Sequence, residues 1–238
     1  MRAPGLIVLK QSAHELVVWK PAGMASELRD DRAAASLKAL VARDLPGSEP
    51  KLPHRLDRVG GEAYDEDAPG DAIAFHNAQI RSGRWEKHYL ARVAAPSAGT
   101  PASFVGKHRA FLAEAGGRAR IVRAGGKPSW LEIVAAAPVP GRPDRWHLVI
   151  RLLTGRFHQI RVMCAALGLP LAGDPLYDPE ERDPAEFYLE HAVLRYEDFD
   201  SRSIATFFLR EHEERGALAP ELSARLEAIA ARDGLPAR

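Results

Sequence analysis

The sequence predicts one α+β domain whose middle is an antiparallel meander. Three observations lead there. Short β-rich runs separated by Gly and Pro turns recur along the chain, and three of them, Arg118–Arg123, Trp130–Ala136 and Arg145–Leu152, follow one another directly. Helical stretches with apolar residues three and four apart lie between and after them. No repeat, low-complexity segment or linker divides the 238 residues, a length sufficient for one large core.

Taken in order, Gly5–Leu9 and Glu15–Lys20 read as strands, the second closed by the turn Pro21-Ala22-Gly23. Asp31–Arg43 reads as a helix with Leu37, Leu40 and Val41 on one face, and Gly47-Ser48-Glu49-Pro50 breaks the chain after it. Ala72–Ser82 is a weakly amphipathic helix. His88–Ala95 alternates like a strand, with Tyr89, Ala91 and Val93 on one face and Lys87 preceding them. After the three meander strands, Phe157–Leu167 reads as a helix with Phe157, Ile160, Cys164 and Leu167 on one side, Thr154 as its N-cap and Gly168 as its stop. Ala192–Phe199 and Ser203–Leu209 are strands, and Pro220–Arg232 closes the chain as a helix burying Leu222, Leu226 and Ile229.

Composition is that of a soluble globular protein, with 46% hydrophobic and 27% charged residues. The lone cysteine, Cys164, excludes a disulfide within the chain and fits a reducing cytoplasm. No apolar run approaches the roughly 18 residues that span a bilayer, and Met1-Arg2-Ala3-Pro4-Gly5 lacks the apolar stretch of a secretion signal. The net charge of +1 conceals an asymmetry: Thr100–Arg161 carries 11 Lys/Arg against 3 Asp/Glu, whereas Asp174–Arg215 carries 13 acids against 5 Lys/Arg. A basic stretch of this kind can bind a polyanion, although composition alone describes an ordinary solvated face equally well.

Two short polar motifs carry the chemistry. The first is His54-Arg55-Leu56-Asp57-Arg58 and the second Thr154-Gly155-Arg156-Phe157-His158-Gln159-Ile160-Arg161. Asp57 stands among cations, which favour its charged form, and an ionised carboxylate serves as nucleophile or base. In isolation the same string would also suit a surface cluster of ion pairs. Arg161, at the edge of the helix's apolar face, can reach inward to pair with a carboxylate, and Gly155 lets the chain turn before the helix. Tyr89 can stack on a nucleobase, or fill the core with its hydroxyl satisfied. The nine histidines lack zinc spacing, Asp65-Glu66-Asp67 lacks the spacing of a calcium loop, and no phosphate-cradling glycine motif is present. No metal and no cofactor are therefore expected.

These two motifs resemble the signature motifs of the RluA-type RNA pseudouridine synthases. Val18-Trp19-Lys20-Pro21-Ala22-Gly23, Glu86-Lys87-His88-Tyr89-Leu90-Ala91 and Gly173-Asp174-Pro175-Leu176-Tyr177 are similar to three further segments of that family, in the same order. The resemblance implies one catalytic domain over residues 1–238, with a mixed, mostly antiparallel sheet flanked by helices and loops around a central RNA-binding cleft, and no separate N-terminal RNA-binding domain. It implies isomerisation of uridine to pseudouridine in ribosomal or transfer RNA by a monomeric cytoplasmic enzyme with no membrane contact. Asp57 would be the catalytic carboxylate, Arg161 its partner, and Tyr89 a stacking group that assists the closing proton transfer. Arg55 would fill the space of the extruded base and Ile160 would pack against the base or Tyr89. Arg58, Lys87, Arg156 and His158 would contact RNA. Attack on the sugar, attack on the base, and abstraction of a sugar proton all fit Asp57 at this stage. The basic Thr100–Arg161 stretch would hold flanking phosphates.

One segment departs from the family pattern. Val59–Gly70 holds four carboxylates and a proline where the family has an apolar strand, a poor strand by propensity. Glu62–Gly70 is therefore expected to form a mobile loop. On that ground a non-catalytic RNA-binding protein on the same fold is the alternative. A glycosidic hydrolase is a weaker third reading, because such enzymes deploy two carboxylates and only Asp57 has a motif around it.

Overall fold

The computed structural model describes residues 7–20, 36–45, 62–66, 70–95, 100–178, 183–208 and 217–235. The chain falls into two compact units. One comprises Met1–Trp85, Leu194–Phe207 and Asp233–Arg238, the other Glu86–Val193 and Phe208–Arg232.

In the first unit, β1 (Ile7–Gln11), β2 (Leu16–Lys20) and β3 (Glu62–Glu66) form a three-stranded antiparallel sheet in that order. The run Leu16-Val17-Val18-Trp19 is apolar throughout because both its faces are covered. Leu16 and Val18 pack with Leu37, Leu40 and Val41 of α1 (Leu37–Asp44), while Val17 joins Trp85, Leu194 and Tyr196. Ser36 caps α1 by accepting from the Ala39 N–H at 3.2 Å. Residues 31–35, the start of the expected helix, lie outside the described residues. α2 (Gly70–Ser82) ends where expected and begins two residues before the expected Ala72, and its Gln79 side chain bonds both the N–H and the C=O of Glu197 at 2.8 Å.

The expected loop at Glu62–Gly70 is corrected at its start. The backbone of Glu62–Glu66 pairs residue for residue with β2, from Leu16 opposite Glu66 to Lys20 opposite Glu62. The physical reason is the neighbour. A buried strand must pair the N–H and C=O groups on both of its edges, and that demand outweighs the weak β propensity of Glu and Asp. Residues 67–69 lie outside the described residues, and Gly70 already belongs to α2.

The second unit is built on β4 (Glu86–Ala94), β5 (Gly106–Ala115), β6 (Arg118–Ile121), β7 (Lys127–Val139), β8 (Arg142–Leu152) and the beginning of β9 (Leu189–Glu197). Their order is β9-β4-β8-β7-β5-β6, with β4, β8, β7, β5 and β6 joined by antiparallel ladders. The three expected strands are present as β6, β7 and β8, but they do not form a direct meander: β7 and β8 pair, whereas β5 lies between β6 and β7 and pairs with both. The rest of β9 belongs to the first unit, together with most of β10 (Ile204–Phe208).

Around β4 and β8 both faces of this sheet are covered. On one, Tyr89, Ala91 and Val93 of β4 share a cluster with Leu131, Ile133, Leu148, Ile150 and with Ile160, Met163 and Cys164 of α3 (Gln159–Ala166). On the other, Leu90 and Val149 meet Leu222, Leu226 and Ile229 of α4 (Pro220–Ala230), each buried side chain contributing about 1.5–3 kcal/mol. Burial pushes the Cys164 thiol up to about 12, so it behaves as a small apolar side chain. The expected α+β class with a largely antiparallel sheet holds. Among the described residues no helix is long and apolar enough to cross a membrane.

Candidate active site

The second polar motif is the loop from β8 into α3, and its polar side chains fold the loop onto β7. Thr154 Oγ1 accepts from the Trp130 N–H at 2.8 Å and donates to Gln159 Oε1 at 2.9 Å. Gln159 Nε2 donates to the Trp130 carbonyl at 2.9 Å, and Gln159 Oε1 also accepts from the Arg156 N–H at 3.1 Å. Thr154 is therefore a strap across the loop and not the expected N-cap. The N-cap is His158, held in the left-handed region at φ 52° with no capping bond from its side chain. The tight turn thus falls at His158 and not at Gly155. Phe157 also departs from expectation: it precedes the helix and is exposed, stacked on His158 with ring centres 3.8 Å apart.

That left-handed residue directs its ring toward Arg161. Arg161 Nη1 donates to His158 Nε2 at 3.0 Å, so the proton of the neutral ring sits on Nδ1, facing the Tyr177 hydroxyl at 3.1 Å. Burial, and then the Arg161 charge, lower the His158 pKa from 6.5 to about 4. Because the unfolded ring takes up its proton at the higher pH, this residue costs stability as pH falls from about 6.5 toward 4. His158→Gln should flatten the decline of the thermal midpoint over that interval, as scanning calorimetry at several pH values would read. An unchanged slope would contradict the neutral, Arg161-facing ring.

Arg161 itself is buried and held between the rings of Tyr177 and Phe187. Its Nε and Nη2 donate to the two carboxylate oxygens of Asp174 at 2.8 and 2.7 Å, a parallel two-bond pair. Asp174, also fully buried, accepts in addition from the N–H groups of Leu176 and Tyr177 at 3.0 and 3.3 Å. Gly173 makes this turn possible. Its φ is +69°, and an added Cβ would lie 2.5 Å from the Asp183 carbonyl oxygen. The segment before the turn runs beside β4, with Ala172 N–H donating to the Arg92 carbonyl at 3.0 Å. In the sequence Asp174 stands out only as part of the family-like segment Gly173–Tyr177. The signal that could have found it is the need of a buried guanidinium for a carboxylate.

On β4, Tyr89 and Lys87 are both buried and separated by two positions, hence on one face. The Lys87 Nζ lies near the backbone of Gly155, where a Cβ would be 3.6 Å from it, so strand and motif loop meet at this point. The Tyr89 ring stacks on His191 of β9, with centres 4.6 Å apart and planes at 9°. Burial, followed by the charges of Lys87 and His88, holds His191 well below its ordinary pKa and thus neutral. His191 is a second residue that the sequence reading missed. The structure therefore brings Lys87, Tyr89, His158, Ile160 and Arg161 into one unit, with Arg156 exposed at the loop tip. Asp57, Arg55 and Arg58 lie outside the described residues.

The structure thus joins a buried tyrosine and a buried, carboxylate-clamped arginine in one unit of a chain whose middle is basic. Comparison with known proteins gives the family. Residues 70–166 match the RNA pseudouridylate synthase family model. The chain is 31% identical over 199 residues to the dual-specificity RNA pseudouridine synthase RluA of Escherichia coli O6:H1, covering 80% of this chain and 86% of that protein. It is also 31% identical over 180 residues to an uncharacterized RNA pseudouridine synthase of Bacillus subtilis, covering 72% of this chain and 57% of that one. Among solved structures, human RNA pseudouridylate synthase domain containing 1 matches with a TM-score of 0.72 at 22% identity, over 98% of this chain and 99% of the other. The chain belongs to the RluA-type RNA pseudouridine synthases. It is an isomerase that converts uridine to pseudouridine, and RNA is its partner. The comparisons do not favour the non-catalytic alternative.

Proposed function

We infer that this isomerase acts on uridines of ribosomal or transfer RNA, with Asp57 as the reacting carboxylate, as a monomer in the cytoplasm. The observation that carries the site assignment is Arg161. A guanidinium buried at 2% exposure, with three of its five N–H groups already committed to Asp174 and His158, is fixed in position before any substrate arrives. Such a fork can hold a second carboxylate in its ionised form without reorganising, and that is the task assigned to it toward Asp57.

Tyr89, locked against His191, would present its ring to a flipped uracil, and Ile160 of the same cluster would complete the apolar wall. Lys87 and Arg156 would meet phosphates, His158 the neighbouring nucleotide, and Arg55 the space left in the stack, with Arg58 beside it. Extruding the base costs a few kcal/mol, which these contacts would offset. The uracil is then detached from the sugar, turned and rejoined through carbon; that carbon loses its proton and the freed ring nitrogen takes one up, so the product is an isomer of the substrate.

The alternative of a non-catalytic RNA binder rested on an absent strand after Asp57, and the β3 backbone removes that ground. The direct test is tritium release from uracil-labelled RNA. The purified protein should release tritium from unmodified ribosomal or transfer RNA. Release from neither, at enzyme concentrations that bind both, would overturn this substrate assignment.

A further inference from the structure

One face of the outer sheet in the second unit is neither core nor part of the site above. Because directly paired residues share a face, Lys107, Arg109 and Phe111 of β5 lie beside Glu132, Trp130 and Pro128 of β7, with Arg118 and Arg120 of β6 continuing the same face. Trp130 is 38% exposed, large for an indole that could have been buried. The Arg109 guanidinium lies 4.8 Å from the Trp130 ring centre and 4.8 Å from that of Phe111. Glu132 is the one acid among these paired positions, and it faces Arg151 at 3.9 Å. Lys107, Arg109, Arg118 and Arg120 have no carboxylate partner among the described residues.

Trp130 is also the anchor of the motif loop. Its backbone N–H and C=O take the bonds from Thr154 and Gln159 described above, and its carbonyl further accepts from the N–H groups of Leu153 and Thr154 at 3.1 and 3.2 Å. The backbone of this residue thus positions the loop leading to Arg161, while its side chain faces solvent beside an arginine. An exposed aromatic face flanked by cations fits a nucleobase with its phosphates.

We propose that this face is a docking surface for single-stranded RNA flanking the target nucleotide, with one base stacked on Trp130 and the adjoining phosphates held by Arg109, Lys107, Arg118 and Arg120. The occupant is argued from charge complementarity and from continuity with the motif loop, and it rests on the reading that RNA is the substrate. Stacking of this kind is tolerant of sequence, so the surface would set affinity and direction of the strand more than the choice of uridine.

The experiment uses the intact chain as wild type, Trp130→Ala, Trp130→Phe and Arg109→Gln. Two readouts are taken: tritium release from labelled bulk ribosomal and transfer RNA, and affinity for a fluorescein-labelled single-stranded oligouridine. Trp130→Ala should raise KM and the oligouridine Kd about five- to tenfold or more, with the loss in KM and not in kcat. Trp130→Phe should recover most of it, and Arg109→Gln should reduce the salt slope of log affinity by about one. Unchanged oligouridine affinity in both Trp130→Ala and Arg109→Gln, at unchanged thermal midpoint, would overturn the proposal. So would a loss confined to kcat. If Trp130→Ala abolished self-association of the chain and left RNA affinity intact, the face would belong to a second copy. A wild type that releases no tritium would defeat the substrate reading instead, while the oligouridine titration would still decide the surface.

Discussion

Asp57→Asn is expected to abolish pseudouridine formation, lowering the rate by at least ~10³-fold, the scale on which a single acid–base group acts. RNA binding and the thermal midpoint should stay near wild type. The substitution keeps the shape of the side chain and removes only its ability to ionise. Nucleophilic attack and proton abstraction both need the charged carboxylate, so the prediction does not depend on which route operates. Arg55 and Arg58, on either side in the sequence, would still draw the RNA. The loss should therefore fall on kcat, with KM retained. Tritium release from labelled RNA under saturating and limiting enzyme separates the two. Turnover by the Asp57→Asn protein within a small factor of wild type would remove Asp57 from the chemistry and leave the motif as a binding element.

The sequence and the structure agree best where burial is periodic. In α4, Leu222, Leu226 and Ile229 recur at helical spacing, and all three are buried. In β4, alternation places Tyr89, Ala91 and Val93 in one cluster and Leu90 in another. Agreement fails where a neighbour decides. β5 has the sequence Gly-Lys-His-Arg-Ala-Phe-Leu-Ala-Glu-Ala, poor in β-branched residues, and it is a strand because β6 and β7 pair with it on either side. β3 is a strand for the same reason, despite three acids in five residues. Sheet formation is a property of pairs, and a single segment's composition records only half of each pair.

The site shows the same division. Motif spacing placed Arg156, His158, Ile160 and Arg161 near one helix start, and the structure keeps them there. It could not place the hydrogen bonds. Residue type suits Thr154 to a cap, yet its hydroxyl joins Gln159, five residues on, in tying the loop to Trp130. Nor does spacing indicate that Arg161 pairs with Asp174, because Asp174 lies 13 positions further on, past a turn that only Gly173 permits. Positive φ at His158 was equally invisible, since histidine carries no turn signal as strong as glycine.

The second large effect is expected at Asp174. Asp174→Ala leaves a buried guanidinium without its described carboxylate partner, a change that costs about 3–5 kcal/mol. For a chain of this size that lowers the thermal midpoint by roughly 6–20 °C. The N–H groups of Leu176 and Tyr177 lose their acceptor at the same time. Activity should be lost as well, because Arg161 without its clamp no longer presents a fixed fork. A drop in both stability and rate would not by itself distinguish a structural pair from a working one. The double variant Arg161→Met, Asp174→Leu does. Replacing both members of a buried pair by apolar residues of similar volume is often neutral for stability, so differential scanning fluorimetry should show recovery of the part of the loss due to the unpaired guanidinium, while the Leu176 and Tyr177 N–H groups still lack their acceptor. If Arg161 holds a carboxylate ionised at the reaction centre, that stable double variant remains inactive in tritium release. If it regains activity together with its midpoint, Arg161 and Asp174 serve only to brace the turn after α3, and the ionised state of Asp57 must come from its own neighbours.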